Sequence, residues 1–264
     1  MKISSRNVNG IRAVLNKGFF DRVKQDQADI ICLQEVKAFE NQIPPEVRFF
    51  LADYQYLWHH GTRPGYAWTA IFYRKNLDII EKKADFKLTH FQEDGRVTEL
   101  RFFYQGKEVV VLNLYVPNGN DRADGTEMLG YKLEFYEHFR GYISSLRDEG
   151  KAIIACWDFN ICHREIDIAR PKDNEKNIGF LPIERAEMDK LEQAEFVDVF
   201  RSLYPEMREK YTWWSYRAGV RSRNIGWRLD YFWVSKDIIP LVVGMEHQEL
   251  VEGSDHCPIT LQLK

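Results

Sequence analysis

The stretch VTELRFFYQGKEVVVLNLYV, residues 97–116, determines which kind of sheet this chain can form. Two runs rich in β-branched and aromatic residues, Val97–Tyr104 and Lys107–Val116, flank the dipeptide Gln105-Gly106. Two such runs, joined by two residues that include a glycine, predict an antiparallel hairpin. The sheet that contains this hairpin therefore cannot be purely parallel.

Further strands and two helices are predicted on both sides of the hairpin. Apolar residues recur with helical spacing over 11–23 and again over 133–146, and Gly150 ends the second pattern. The other predicted strands are Lys2–Val8, Asp29–Gln34, Ala67–Tyr73, Ala152–Cys156, Arg228–Ser235 and Cys257–Leu263. We therefore expect a single α/β domain over residues 1–264, with mixed sheets and helices outside them.

Composition excludes several classes of protein. With 44% hydrophobic and 29% charged residues, the 264-residue chain is not disordered over most of its length. Its apolar stretches are far shorter than the roughly 20 residues that span a bilayer, and its strand-like start does not resemble a signal peptide. Four cysteines without a C-x-x-C pair suit reduced thiols. We expect a monomeric cytoplasmic protein that does not bind membranes.

Charge is balanced over the whole chain but not locally. The 37 basic and 40 acidic residues give a net charge of −3, which offers no general attraction to a polyanion. The segment 201–236 is locally basic and interleaves arginines, among them Arg217 and Arg221, with several aromatic rings. This combination is typical of surfaces that bind nucleic acids. A solvated loop over core aromatics explains this one feature equally well.

Polar side chains gather where predicted strands end. A carboxylate beside a buried strand costs several kcal/mol unless it is paired or bound to a cation, so several of them indicate a shared site. Taken alone, any one of them would more often cap a loop. The set is rich in oxygen and contains one histidine, which favours a hard cation such as Mg²⁺ over zinc. Its members are Glu35, Asp158, Asp230, Asp255, Asn7, Asn9, Asn160 and His256.

Six short runs resemble motifs of the exonuclease III family of abasic-site (AP) endonucleases, in the same order and with the same spacing. They are NVNGIRA at 7–13, CLQE at 32–35, YVPN at 115–118, DFN at 158–160, GWRLDY at 226–231 and GSDHCP at 253–258. The resemblance implies a four-layer α/β sandwich, in which two mixed sheets pack face to face with helices on the outside.

The resemblance also implies an activity and a cofactor. The expected reaction is hydrolysis of the phosphodiester 5′ to an abasic site in double-stranded DNA, as in base-excision repair. It would leave a 3′-hydroxyl, and 3′ to 5′ exonuclease activity and repair of blocked 3′ ends would accompany it. The expected ion is Mg²⁺, with Mn²⁺ as an alternative.

The resemblance also implies a role for each residue that matches a position of the family's motifs. Glu35 would hold the metal with Asn9 and Asp255 nearby, while Asp158, helped by Asn160, would orient or deprotonate the attacking water. The remaining catalytic positions are His256 on the scissile phosphate, Asp230 orienting that histidine, and Asn7 and Tyr115 on phosphate oxygens.

The resemblance further implies a pocket for a flipped abasic sugar, walled by Trp213, Trp227 and Leu229 and, opposite them, by Asn174 and Asn177. Without the resemblance, core packing is the simpler explanation of Trp227 and Leu229.

Three residues depart from the family pattern. Tryptophan is usual at Arg6, and glycine is usual at Trp68 and at Trp157, which directly precedes Asp158. Strand alternation predicts that Arg6 and Trp157 point away from the site. We hypothesise that they lie on neighbouring strands and exchange volumes, with the guanidinium within about 6 Å of the indole ring.

Two alternatives remain open at the level of sequence. One is a regulator on the same fold that binds nucleic acid and has lost catalysis, for which Trp157 is the only argument. The other is a phosphoesterase acting on lipid or inositol phosphates, which the tryptophans and the basic segment disfavour.

Overall fold

The computed structural model describes residues 1–43, 52–84 and 91–264. Within these ranges the chain forms two six-stranded sheets, in the orders β11-β12-β1-β2-β4-β3 and β5-β6-β7-β8-β10-β9. The strands are β1 (Lys2–Asn7), β2 (Ile30–Gln34), β3 (Tyr54–His59), β4 (Thr69–Arg74), β5 (Ile79–Lys83), β6 (Val97–Tyr104), β7 (Lys107–Tyr115), β8 (Ala152–Asp158), β9 (Phe196–Asp198), β10 (Asp230–Ser235), β11 (Val242–His247) and β12 (Ile259–Leu263).

Both sheets are mixed, as predicted. The pairs β1–β2 and β7–β8 are parallel, whereas the hairpin β6–β7 is antiparallel. Gln105 and Gly106 at its turn have φ of 51° and 77°. Two successive residues with positive φ match the right-handed twist of the strands, which explains the glycine.

Most helices cover the outer faces of the sheets, whereas the short helix at 199–203 packs with the apolar cluster between them. Their bounds are α1 (Ile11–Leu15), α2 (Phe19–Asp26), α3 (Leu129–Asp148), α4 (Pro171–Asn174), α5 (Pro182–Gln193) and α6 (Val199–Leu203). Residues of α1 and α2 pack with the outer side of β2 and β4, and residues of α3 pack with the outer side of β7 and β8. A third apolar cluster fills the space between the sheets. The predicted four-layer sandwich is therefore confirmed, while a single domain over the whole chain stays a prediction.

A buried polar layer joins the two sheets directly beneath their common edge. Gln34 at the end of β2 donates from Nε2 to Asn113 Oδ1 on β7 over 2.7 Å, and Asn113 donates to Thr98 on β6. The amide nitrogens of Gln34 and Asn113 both have acceptors in this layer, although Gln34 Oε1 has no partner, and these bonds help to fix how the sheets align. That alignment matters because both sheets contribute side chains at this edge.

The structure differs from the prediction in several elements. The periodicity over 11–23 corresponds to two helices, because Gly18, with φ of 76°, interrupts it. β8 continues through Asp158, two residues beyond its predicted end. Strands β3, β5, β9 and β11 were not predicted. All four are edge strands of their sheets: β9 has only three residues, and β3, β5 and β11 include exposed or partly exposed polar residues.

The hypothesis that Arg6 contacts Trp157 is wrong. Arg6 lies on β1 of one sheet and Trp157 on β8 of the other. Trp157 packs against Phe139 of α3 with ring centroids 4.6 Å apart, whereas Arg6 lines a small cavity with Phe19 of α2. Alternation does turn both side chains away from the space between the sheets. Because they belong to different sheets, this direction is opposite for the two residues.

No helix within the described residues is long and apolar enough to cross a membrane.

Candidate active site

Strand register brings polar residues of both sheets to one edge of the sandwich. Asp158 at the end of β8 is the direct neighbour of Tyr115 on β7 and of Asp230 on β10. In the other sheet, β1 ends at Asn7, and Glu35 directly follows β2. The predicted clustering of strand-end side chains is therefore observed.

Asn7 connects the two sheets by bridging two carboxylates. Its Nδ2 donates to Glu35 Oε1 over 2.7 Å and to Asp158 Oδ2 over 2.9 Å, and it is fully buried. Both amide hydrogens are thus committed to carboxylates. A contact between this amide and a phosphate oxygen, as the sequence predicts, would require Asn7 to release one of them.

Asn160 fixes the other oxygen of Asp158. Its backbone N–H donates to Asp158 Oδ1 over 2.9 Å, and its Nδ2 donates to Val116 O over 2.9 Å. Asn160 has φ of 53°, a conformation that asparagine tolerates better than most residues. Asn118, the last residue of the YVPN run, to which the sequence assigned no role, donates from Nδ2 to Asn160 Oδ1 over 3.0 Å.

His256 lies between two carboxylates. Its Nδ1 is 2.8 Å from Asp230 Oδ2, and its Nε2 is 3.7 Å from Asp158 Oδ2. Burial alone would lower the pKa of His256, but the charges of Asp230 and Asp158 outweigh burial and raise the pKa to about 10. The imidazole is therefore protonated at neutral pH: Nδ1 donates to Asp230, and the N–H at Nε2 is left for another acceptor.

Burial acts in the opposite direction on the acidic groups. It raises the pKa of Asp158 to about 7, with Asp230 and Glu35 adding to the effect and His256 opposing it. Burial, followed by the charges of Glu35 and Asp158, also raises the pKa of Tyr115 well above its usual value. Tyr115 therefore keeps its proton and can donate a hydrogen bond.

Glu35, Asn9 and Asp255 form an oxygen-rich group that suits a hard cation. Lys37 donates from Nζ to Asn9 Oδ1 over 2.7 Å and forms an ion pair with Glu35. Asn9 in turn donates to Asp255 Oδ1 over 3.0 Å. Oxygens of Glu35 and Asn9 thus face one position that favours positive charge, and carboxylate and amide oxygens are the ligands that Mg²⁺ prefers. The sequence analysis had missed Lys37, which lies in a loop.

A second group, Asp158, Asp230 and His256, also brings potential ligand atoms within 4.8 Å of one another. A metal ion here would have to displace the proton that the two carboxylates favour on His256. Without an ion, the group is arranged for proton transfer and for binding an anion.

A cavity of about 270 Å³ opens onto these groups. One wall consists of Trp213, Trp227 and Leu229, as predicted, and the two indole rings meet edge to face at 6.0 Å. The complete lining is Glu35, Tyr115, Asn118, Asn120, Asp158, Asn160, Ile178, Gly179, Trp213, Trp227, Leu229, Asp255 and His256.

Asn174 and Asn177, which were predicted to form the opposite wall, do not line the cavity; residues directly after them in the chain do. Asn177 donates to Asn174 over 2.8 Å, and Asn174 donates to the carbonyls of the two residues directly before α4. Ile178 and Gly179 line the cavity instead. Contact between the two asparagines and DNA stays a prediction.

The two arginines of the basic segment differ in their surroundings. Arg217 is exposed. Arg221 stacks on Trp214 at 4.5 Å and donates to the carbonyls of Ser254, Glu249 and Val251. Arg221 therefore braces the loop that carries Asp255, and its predicted contact with DNA would have to use the remaining part of its guanidinium.

The two bulky replacements of glycine lie behind the site. Trp157 is fully buried on the outer face of its sheet, stacked on Phe159 at 3.9 Å. Trp68 has φ of 69°, an unfavourable conformation for a bulky residue, and packs against Phe39 at 4.7 Å. Neither indole lines the cavity.

Replacing Trp157 with glycine should therefore destabilise the protein without opening the site. The change removes a buried indole and leaves a void, which typically lowers the free energy of unfolding by about 3 to 5 kcal/mol. Urea unfolding would measure this loss. If the Trp157→Gly variant kept the wild-type stability and its candidate active site became faster in catalysis, Trp157 would instead obstruct the site.

Comparison with known proteins agrees with the fold. The model of the endonuclease/exonuclease/phosphatase family matches residues 7–256. An exodeoxyribonuclease of Bacillus subtilis (strain 168) is 40% identical over 263 residues, covering 99% of this chain and 98% of the relative. The DNA repair nuclease APEX1 of Danio rerio is 35% identical over 263 residues, covering 100% and 82%.

Solved structures of similar proteins share the architecture. The AP endonuclease LMAP from Leishmania major superimposes with a TM-score of 0.87 at 28% identity, covering 100% of this chain and 87% of that one. An AP endonuclease from Archaeoglobus fulgidus gives 0.85 at 26% identity, covering 100% and 99%. With its two mixed sheets, its site at their common edge and a match over residues 7–256, this chain belongs to the endonuclease/exonuclease/phosphatase family.

Proposed function

We propose that this protein is a metal-dependent DNA repair nuclease that hydrolyses the phosphodiester 5′ to an abasic site in double-stranded DNA. One observation carries the proposal. The paired groups Asp158 and His256 open onto the same cavity as the apolar wall of Trp213, Trp227 and Leu229. A base-free sugar can enter such a cavity at low cost, because no base has to be unpaired first.

Asp158 is suited to accept the proton of the attacking water. Its raised pKa, about 7, is close to the pH at which a general base is most effective. Asn7 and Asn160 hold its two oxygens in place. As the water oxygen bonds to phosphorus and its proton passes to Asp158, the bond from phosphorus to the upstream 3′ oxygen breaks. The departing 3′ oxygen takes up a proton from solvent, which leaves a 3′-hydroxyl and a 5′-phosphate.

The donors of the site stabilise the phosphate. Charge on the phosphoryl oxygens must be met by fixed donors, and the His256 imidazolium and the Tyr115 hydroxyl are available for this. A divalent ion, which we propose to be Mg²⁺ with Mn²⁺ as an alternative, would be held by Glu35 with Asn9 and Asp255. When bound, it would add positive charge beside the same oxygens.

The proposal extends to two related reactions and to the oligomeric state and cellular location of the protein. 3′ to 5′ exonuclease activity and repair of blocked 3′ ends use the same bond to a 3′ oxygen. We further propose that the protein acts as a monomer in the cytoplasm, where it meets DNA.

The inactive regulator is disfavoured, since Trp157, its only argument, does not line the cavity. The deciding assay uses a duplex with one abasic-site analogue and an otherwise identical intact duplex, first with Mg²⁺ and then with a chelator. We expect cleavage of the abasic duplex in Mg²⁺ only. Binding without cleavage in Mg²⁺ would identify a regulator instead.

Replacing Asp230 with asparagine should lower kcat by about 100-fold while DNA affinity stays within about threefold. Asparagine keeps the shape but removes the charge that lies 2.8 Å from His256 Nδ1 and raises the pKa of that imidazole. Single-turnover rates and DNA binding in chelator would separate the two effects. A variant that loses affinity alone would argue against an orienting role.

A further inference from the structure

Lys132 places a fully buried ammonium directly behind the candidate active site. It projects from α3 and donates from Nζ to Asn118 O over 3.0 Å, to Asn160 O over 2.8 Å and to Glu184 Oε1 over 2.5 Å. An ammonium has three donors, and all three are used. A buried charge is tolerated only with such complete pairing.

Glu184 on α5 connects this ammonium to a third segment of chain. Its second oxygen accepts from the backbone N–H of Gly179 over 2.7 Å and of Leu181 over 3.1 Å. Gly179 has φ of 91°, and a Cβ atom there would lie 3.1 Å from the ring of Trp227. The segment that Glu184 holds is therefore in close contact with the cavity wall.

Each of the three segments joined by this ion pair lines the cavity. Asn118 follows β7, Asn160 follows β8, and Gly179 precedes α5. Asn160 also fixes Asp158 Oδ1 through its backbone N–H. A displacement of Lys132 or Glu184 would thus move the proposed base and the cavity wall relative to each other.

We propose that Lys132 and Glu184 are a positioning pair, which sets the distance between the Asp158–Asn160 segment and the wall formed by Gly179 and Trp227. The inference rests on the proposed function, because it requires one substrate to contact both parts. Neither residue lines the cavity, so their effect on the reaction is indirect.

A purely structural role is the competing explanation, since the pair also joins α3 to α5. The chain contains a matched control for this. Arg140 on α3 forms an ion pair with Glu187 on α5, and neither residue lines the cavity. Removing that pair changes the contact between the same helices without touching the three segments.

The experiment compares Lys132→Met/Glu184→Gln with Arg140→Met/Glu187→Gln. Removing both charges together avoids leaving one buried charge unpaired. We expect the kcat of the first double variant for incision of an abasic duplex to fall about 100-fold, because moving a reacting group by about 1 Å has an effect of that size. Its KM should stay within about threefold of the wild-type value. The control should keep its kcat within about threefold, whatever its thermal stability.

A folded Lys132→Met/Glu184→Gln variant with the wild-type kcat would overturn the proposal, as would an equal loss in the control. If that variant does not fold, Glu184→Gln alone replaces it, because it keeps the size of the side chain and leaves Lys132 its two carbonyl acceptors. We then expect a loss of at least about tenfold in kcat, and an unchanged kcat would refute the pair's role. A wild-type protein that does not cut the abasic duplex would instead refute the proposed function itself.

Discussion

Replacing Asp158 with asparagine is expected to lower kcat for abasic-site incision by about 1,000-fold or more, within the range that general bases contribute. Asparagine preserves the size of a side chain that is 1% exposed, so the fold should survive. It cannot accept a proton from water, however. Single-turnover incision at saturating enzyme would measure the loss of the chemical step.

The pH dependence provides an independent check on this role. The pKa of Asp158 is raised to about 7, so the carboxyl is protonated, and inactive as a base, below that pH. Wild-type kcat should therefore fall as the pH decreases through about 7, whereas the low rate of the variant should not show this decrease. Asp148→Asn, at the exposed end of α3, serves as the control. A variant that keeps the wild-type rate would rule out Asp158 as the base.

Replacing Glu35 with alanine is the second change with a large expected effect. Mutating a residue that only hydrogen-bonds to a metal ligand typically lowers metal affinity or activity by about 10- to 100-fold. Removing a ligand itself should therefore cost at least as much. We expect the Mg²⁺ concentration for half-maximal incision to rise at least tenfold, about the lower end of that range. The change also removes one of the two partners of Asn7 and one of the two partners of Lys37.

A Mg²⁺ titration of incision, with circular dichroism to verify folding, would test this role of Glu35. Glu40→Ala, an exposed carboxylate five residues later, is the matched control and should titrate like the wild type. If Glu35→Ala retained the wild-type rate and the wild-type Mg²⁺ requirement, the metal would have to bind elsewhere.

Much of the fold was predictable because its central strands are strongly patterned. The hairpin of β6 and β7 was predicted from its turn residues, with one end differing by a single residue. The edge strands β3 and β5 were missed because one side of each is open to solvent, where polar residues replace the apolar pattern. Their place in the sheet depends on the partner strand more than on their own sequence.

The candidate site was predictable for a different reason. Strands β8 and β1 end at Asp158 and Asn7, and the antiparallel strand β10 begins at Asp230, so these polar residues had to lie together at one edge once the sheets formed. Lys132 and Glu184 had no comparable signal. They lie 52 positions apart on helices with ordinary charge patterns, and only the folded chain shows that both contact the loops of the site. Alternation likewise predicted the direction of Arg6 and Trp157 but not that they belong to different sheets.

The position of the cut is the most direct test of the central claim. A duplex with a single abasic-site analogue, labelled at both ends of the damaged strand, would be incubated with the protein and Mg²⁺ and its fragments analysed. The account predicts an upstream fragment with a 3′-hydroxyl that a DNA polymerase extends, and a downstream fragment with a 5′-phosphate on the abasic residue. An uncut duplex, or a cut on the 3′ side of the abasic residue, would contradict it.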